Sequence, residues 1–257
     1  MFDIAGSLVF VSGASSGFGE HFVELFAQRG ARVVAAARRT EKLEALCARL
    51  TGCEVCPVAL DVTQPDSVRA AVHAAHEWGG GAIDILVNNA GVSVEKLAIH
   101  QDADDWDYVL NTNLRGAFLL AAECAQGMKQ AKVAGRIINI ASVMGISVGK
   151  MAVGYSTSKA GMIHMTKVLA LEWAKHRIRV NCIAPGFVVT NITRHLVGGE
   201  ADQTPFGKEI MRKTPVRRFG QPGDMDGVML LLACPKASAF MTGTIIPVDG
   251  GLTVASL

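Results

Sequence analysis

"LVFVSGASSGFG", Leu8 to Gly19, is the stretch whose reading decides the architecture. The apolar run at its start reads as a strand, Leu8–Gly13. Three glycines, Gly13, Gly17 and Gly19, stand in the turn that follows, and Glu20–Gly30 reads as a helix closed by a glycine. Glycine allows a tight turn and lets backbone N–H groups approach a pyrophosphate, while the helix beyond presents its positive end. The spacing G-x-x-x-G-x-G differs from the familiar G-x-G-x-x-G. Its place between strand and helix favours a nucleotide cradle over an ordinary turn.

The same alternation continues outward. "ARVVAAA" (Ala31–Ala37) reads as a strand and "TEKLEALCARL" (Thr40–Leu50) as a helix with Thr40 as N-cap. "VCPVALDV" follows, and its Pro57 argues against a central strand. A helix from about Pro65 leads to the strand "IDILVNNAG", and a long helix over Trp106–Met128 to the strand "GRIINIAS". Tyr155–Lys175 reads as a helix, "IRVNCIAPG" as a strand, Asp224–Ala233 as a helix and "GTIIPVDGG" as the last strand. Strands separated by helices imply right-handed crossovers. The expected fold is a single α/β domain, 1–257, with a doubly wound, Rossmann-type parallel sheet and helices on both faces. Such sheets bind ligands beyond the carboxyl ends of their strands.

Bulk composition narrows the partners. The chain has 257 residues, 50% hydrophobic, and a net charge of +2, which favours neither a nucleic acid nor an anionic membrane surface. Apolar runs such as "VMLLLAC" from Val228 are too short to span a bilayer. Asp3 and the lack of a basic leader speak against a secretory signal. Six scattered cysteines suit a reducing compartment, so a cytoplasmic location is expected. Cys53 and Cys56 have CxxC spacing. No second Cys or His pair is near, and residues three apart on a strand face opposite ways, so no metal site is expected. The acids of "DADDWD" (Asp102–Asp107) suit a helix N-terminus rather than catalysis.

"YSTSK", Tyr155–Lys159, carries the chemistry. Residues i and i+4 share a helix face, so phenol and ammonium project together. A phenol titrates near pKa ~10, and a fixed positive charge lowers that value toward acid/base use. Taken alone, the pair reads first as a surface helix start.

Other segments join it. "SGASSGFG" resembles the TGxxxGxG loop of the short-chain dehydrogenase/reductase family, with Ser12 in place of the usual Thr. "LDV" (Leu60–Val62) resembles its adenine-contacting turn and "NNAG" (Asn88–Gly91) its strand-four motif. Asn113 in "NTNLRG", Ser142 in "NIAS", and Tyr155 with Lys159 match its catalytic tetrad, and "PGFVVT" and "VDGG" complete the order. "RRFGQPGDM" and "MTGTIIPVDGG" are most similar to the 3-oxoacyl-carrier-protein reductase-like branch.

The resemblance implies reversible hydride transfer between a nicotinamide cofactor and a carbonyl or secondary alcohol. Tyr155 would be the general acid/base, Lys159 would lower its pKa and hold the nicotinamide ribose, and Ser142 would hold the substrate oxygen. Asn113 would hold a water of a proton relay. Singly, Ser142 reads first as a turn cap and Asn113 as a residue satisfying a helix backbone; together with Tyr155 and Lys159 the catalytic reading leads. Gly13, Ser15, Ser16, Phe18 and Gly19 would surround the pyrophosphate, and Asp61 and Val62 the adenine. Asn89, Ala90 and Gly91 would meet the adjacent ribose, and Pro185, Gly186, Val188 and Thr190 the carboxamide end. The resemblance also implies a homotetramer, or a homodimer, packed through the helices around Trp106–Met128 and Tyr155–Lys175.

The second strand ends "AAARRTEKL". Ala37 stands where NAD-preferring relatives carry Asp, and Arg38 and Arg39 follow. Guanidinium groups suit a 2′-phosphate, so NADPH is expected ahead of NADH, against the plainer reading of a solvated helix entrance. A basic residue sometimes present in the glycine loop is replaced by Ser16. The substrate is not legible. Met144, Met151, Val153 and Phe187 suggest an apolar or mixed pocket, and Asn191–Pro215, with Gly198, Gly199 and Gly207 as hinges, suggests a lid. His195 there reads as a solvated loop residue. Two other classes compete: a nucleotide-binding regulator without turnover, which has no need of the Tyr/Lys pair, and an S-adenosylmethionine methyltransferase, which has no need of Ser142, Tyr155 and Lys159 together.

Overall fold

The structure is a computed structural model describing residues 2–190, 193, 198 and 203–255. Its seven strands are β1 (Leu8–Ser12), β2 (Arg32–Ala37), β3 (Val55–Ala59), β4 (Ile85–Asn88), β5 (Arg136–Ile140), β6 (Arg179–Pro185) and β7 (Ile245–Val248). They form one sheet in the order β3-β2-β1-β4-β5-β6-β7, parallel throughout. The helices are α1 (Gly17–Ala27), α2 (Thr40–Arg49), α3 (Pro65–Gly79), α4 (Ala103–Leu110), α5 (Ala117–Gln130), α6 (Val153–Trp173), α7 (Pro205–Lys213) and α8 (Asp226–Ala233). This is the doubly wound arrangement expected of strands alternating with helices.

Every residue of β1 and β4 is buried, because helices cover both faces of the sheet. Alternate residues feed two cores. Val9 and Val11 pack with Phe22, Phe26, Met229 and Leu230 on one face. Leu8 and Phe10 pack with Val72, Leu86, Leu120 and Met128 on the other. Pro57 lies in β3, an outer strand of the sheet, where a missing N–H costs least.

Several boundaries depart from the sequence reading. Helix α1 begins at Gly17 rather than Glu20, so the glycine loop runs straight into it. The expected helix over Trp106–Met128 is α4, a π-helical turn at Asn111–Gly116, and α5. Helix α4 starts at Ala103 because Asp102 accepts from the Asp105 N–H at 2.8 Å and Asp105 accepts from the Asp102 N–H at 3.3 Å. This is a capping box, and it gives these two acids the structural role expected of them. Gly116 supports the π turn by close approach: a Cβ there would stand 2.8 Å from Val62 Cγ2. Helix α6 starts two residues before Tyr155, and a 3₁₀ turn, Ala174–His176, follows it.

The segment read as a lid contains α7. Thr204 Oγ1 accepts from the Gly207 N–H at 2.9 Å and Pro205 opens the helix, so Gly207 lies in a helical turn and not at a loop hinge. Gly199 and His195 lie outside the described residues. Among the described residues no disulfide forms, no cluster of His, Cys, Asp or Glu is arranged to hold a metal, and no helix is long and apolar enough to cross a membrane.

Candidate active site

Two adjoining cavities, of about 440 and 380 Å³, open at the carboxyl ends of the central strands. Phe18, Asn89, Gly91, Val92 and Thr190 line both, so the two are one continuous trough.

The glycine loop floors the first cavity. Gly13 has φ +68°, and a Cβ on it would lie 2.8 Å from Ala90 Cα. A Cβ on Gly19 would lie 2.2 Å from the Gly13 carbonyl oxygen. The loop is pinned from below by Ser12, which sequence reasoning treated only as a variant of the loop pattern. Its hydroxyl donates to the Val87 carbonyl at 3.3 Å and accepts from the N–H groups of Asn89 at 3.0 Å and Ala90 at 3.2 Å. Asn89 Nδ2 donates in turn to the carbonyls of Ser12 at 3.0 Å and Gly13 at 3.3 Å. The ends of β1 and β4 are thus tied together with their donors and acceptors satisfied.

Gly13, Ser15, Ser16, Phe18, Arg38, Arg39, Asp61, Val62, Asn89, Ala90, Gly91 and Thr190 all line this cavity. Gly19 does not; it packs beneath the loop. Gly17, Ala37, Leu60 and Thr112 line the cavity from within the quoted motifs, and Val92 from outside them. Arg39 folds back over the loop: its Nη2 donates to Ser15 Oγ at 2.9 Å and Ser16 Oγ at 3.1 Å, and its Nε to Ser15 Oγ at 3.2 Å. Asp61 Oδ1 accepts from the Thr63 N–H at 2.9 Å and the Thr63 hydroxyl at 2.7 Å, the local turn that a strand-terminal Asp favours.

Ser142, Tyr155 and Lys159 meet at one wall of the second cavity, together with Pro185, Gly186, Val188 and Thr190. Ser142 ends the segment after β5 and caps the 3₁₀ turn Val143–Gly145, accepting from the Met144 N–H at 3.1 Å. Lys159 is buried on α6, its Nζ donating to the Ile140 carbonyl at 2.8 Å and lying 5.7 Å from the centre of the Tyr155 ring. Burial pulls this ammonium down to about 8. Tyr155 is half-buried and lines the cavity. Burial raises the phenol above its ordinary value and the Ser142 hydroxyl, hydrogen-bonded to it, pulls it back. The net shift is opposite to the one expected from the ammonium, because desolvation of a phenolate outweighs its neighbours here.

Asn113 lines neither cavity. It is fully buried in the π turn, with Oδ1 accepting from the Val92 N–H at 2.8 Å. Its Nδ2 donates to the Val92 carbonyl at 2.9 Å and Ser158 Oγ at 3.1 Å. Both amide hydrogens are therefore used. Gly91 sits between Asn113 and Lys159: a Cβ on it would be 3.4 Å from Asn113 Oδ1 and 3.6 Å from Lys159 Nζ.

Met144, Met151 and Phe187 line the second cavity as expected, whereas Val153 does not. Phe206, from α7, was missed by sequence reasoning and also lines it. The α7 cap signal, Thr204 followed by Pro205, was its one local clue.

A family model described as enoyl-(acyl carrier protein) reductase matches residues 13–253. The chain is 37% identical over 253 residues to the 3-oxoacyl-(acyl-carrier-protein) reductase of Thermotoga maritima, covering 98% of this chain and 99% of that protein. The crystal structure of a short-chain type dehydrogenase/reductase from Mycobacterium marinum superposes with a TM-score of 0.91 at 35% identity, covering 98% and 97% of the two chains. A structure assigned as an NAD(P)-dependent gluconate 5-dehydrogenase from Beutenbergia cavernae, with NADP bound at low occupancy, gives a TM-score of 0.89 at 31% identity over 99% of each chain. The chain belongs to the short-chain dehydrogenase/reductase family and is similar to its 3-oxoacyl-carrier-protein reductase-like branch.

Proposed function

We propose that this member of the short-chain dehydrogenase/reductase family transfers a hydride reversibly between a nicotinamide dinucleotide, NADPH ahead of NADH, and a carbonyl or secondary-alcohol carbon. The observation that carries the reading is the continuity of the trough: the glycine loop floors one end, and Ser142, Tyr155 and Lys159 wall the other.

The dinucleotide supplies the hydride chemistry when bound. Gly13 lines the cavity in a left-handed turn and Gly19, packed beneath the loop, has no room for a Cβ, so the loop backbone lies bare toward the cavity, which fits a pyrophosphate beside Ser15, Ser16 and Phe18. Arg38 and Arg39 line the same cavity where β2 ends in Ala37 without an acid, which supports a 2′-phosphate. Asp61 and Val62 are proposed at the adenine, Asn89, Ala90 and Gly91 at its ribose, and Pro185, Gly186, Val188 and Thr190 at the carboxamide.

In reduction, Tyr155 Oη gives its proton to the developing alkoxide, and in oxidation it takes one back. Ser142 Oγ donates to the same oxygen, where charge grows in the transition state. A phenol kept protonated by burial is suited to the acid role. Lys159 has two N–H donors beyond the one given to Ile140, enough to hold ribose hydroxyls while its charge favours the phenolate. Asn113 has spent both amide hydrogens, so its share in a relay falls to Oδ1 or the backbone; its firmer role is to fix Gly91 and Val92 beside Lys159. A regulator without turnover would have no use for this wall. Assembly into a homotetramer or homodimer is proposed through α4, α5 and α6, where Tyr108, Phe118 and Leu171 stand exposed.

The test is an initial-rate survey of ketones, 3-oxoacyl thioesters and sugars with NADPH and NADH, for wild type and Tyr155→Phe. The reading requires turnover that the variant loses by at least about 10³-fold while still binding NADPH, a loss on the scale of general acid/base catalysis. Near-normal kcat in Tyr155→Phe would contradict it.

A further inference from the structure

Beyond its reacting wall, the second cavity is lined chiefly by carbon. Val143, Met144, Met151, Phe187 and Phe206 face it. Phe187 and Phe206 meet edge to face, centroids 5.8 Å apart at 71°, and form an aromatic corner. Phe206 is 43% exposed and Met151 48% exposed, apolar surface that gains by being covered.

The polar groups of the lining are largely committed. Thr193 Oγ1 donates to the Val188 carbonyl at 2.6 Å and accepts from the Thr190 N–H at 2.9 Å. Asn89 Nδ2 is tied to the carbonyls beneath the glycine loop. Ser142, Tyr155 and Lys159 serve the reacting carbon. Among the described residues the other polar side chains of the lining are Ser93, Glu95, Lys150 and Thr190, the last in contact with Thr193, too few to match the hydroxyls of an open-chain sugar acid. A polyol held here would bury donors and acceptors without partners, the arrangement by which sites reject a ligand most strongly.

Resting on the hydride-transfer reading, we infer that the substrate is a ketone, or its secondary alcohol, bearing an apolar alkyl or aryl arm. The arm lies against Met144, Met151, Phe187 and Phe206. The two thioethers adapt to the arm's shape, and the aromatic corner sets its reach. A polyhydroxylated acid is not the substrate, although one structural relative carries a gluconate dehydrogenase assignment.

The experiment has a binding arm that needs no turnover. 2-Butanone, 2-hexanone, 2-octanone and 5-keto-D-gluconate are titrated into protein carrying methyl-labelled methionine, and kcat/KM with NADPH and NADH is measured for the same compounds. The Met144 and Met151 methyl signals shift with the ketones, and affinity rises about fourfold per methylene. Phe206→Ser removes at least tenfold of the gain for 2-octanone, and Phe206→Leu restores most of it. Ketone binding with the methionine shifts but no turnover with either cofactor would overthrow the hydride-transfer reading, while the place of the apolar arm against Met144, Met151, Phe187 and Phe206 would stand. Binding or turnover of 5-keto-D-gluconate equal to that of 2-octanone overturns it, as does a ketone series that leaves both methionines unmoved.

Discussion

Lys159 stands one helical turn beyond Tyr155, its ammonium 5.7 Å from the centre of the phenol ring and 2.8 Å from the carbonyl of Ile140. Burial holds that ammonium at about 8 and raises the phenol, so both groups titrate away from their usual ranges. In the free enzyme the charge that favours proton transfer is present below pH 8 and lost above it. The kcat/KM for reduction, which reports free-enzyme groups, should therefore be flat at low pH and fall as pH rises through about 8. Lys159→Met should lower activity about 10²-fold or more and abolish the break. A pH profile unchanged by the substitution would show that Lys159 does not set it.

The same burial has a consequence for stability. The folded value of about 8 lies below the ordinary ~10.4, so the folded protein binds fewer protons than the unfolded chain between those two values. Stability carries its full penalty below pH 8 and recovers as pH rises toward 10.4. Lys159→Met removes the penalty but leaves the Ile140 carbonyl without its donor, which costs about 1–2 kcal/mol. The net expectation for the unliganded variant is a gain of about 1–2 kcal/mol at pH 7 that turns into a small loss by pH 10, read from urea unfolding at the two pH values. A variant destabilised at pH 7 would contradict this.

Arg39 grips Ser15 and Ser16 and so connects the cofactor-selecting end of β2 to the glycine loop. Charged hydrogen bonds of about 1.5–3 kcal/mol place the loss of kcat/KM for NADPH in Arg39→Ser at roughly 10–100-fold. NADH should change by less than about threefold, because it has no 2′-phosphate to lose. Adding Ala37→Asp should then favour NADH. Equal losses for both cofactors would mean that Arg39 only braces the loop.

Asn113 behaves as a clasp. Replacement by Ala takes the side-chain partner from the part-buried Val92 N–H and carbonyl and one of two partners from Ser158 Oγ, which keeps its bond to the Tyr155 carbonyl. Two part-buried backbone groups losing their partners cost about 1–3 kcal/mol together. Urea unfolding of Asn113→Ala should show that loss with an unchanged slope, alongside reduced kcat. Wild-type stability with lost activity would assign Asn113 to chemistry alone.

The sheet and the glycine cradle were legible because turn chemistry marks them: Gly13, Gly17 and Gly19 between strand and helix, and Pro57 in an outer strand. The contacts were not. Arg39 with Ser15 spans 24 residues, and Asn113 with Val92 spans 21, distances that no local pattern encodes. The π turn at Asn111–Gly116 is hidden because one added residue leaves the apolar spacing of the flanking helices intact. The short helix α7 reads as loop from its Thr, Pro and Gly, although those same residues cap it. The direction of the Tyr155 shift depends on burial, which sequence spacing cannot supply.

The measurement that bears most directly on the central claim is isotope transfer from NADPH carrying deuterium at both C4 positions of the nicotinamide, followed by chiral separation and mass spectrometry of the reduced ketone. Wild type should place deuterium on the carbinol carbon with a single stereochemical sense, and Tyr155→Phe should place almost none while binding NADPH with affinity within about threefold of wild type. Deuterium transfer at an undiminished rate in Tyr155→Phe would contradict the account, as would wild-type reduction that leaves the label behind.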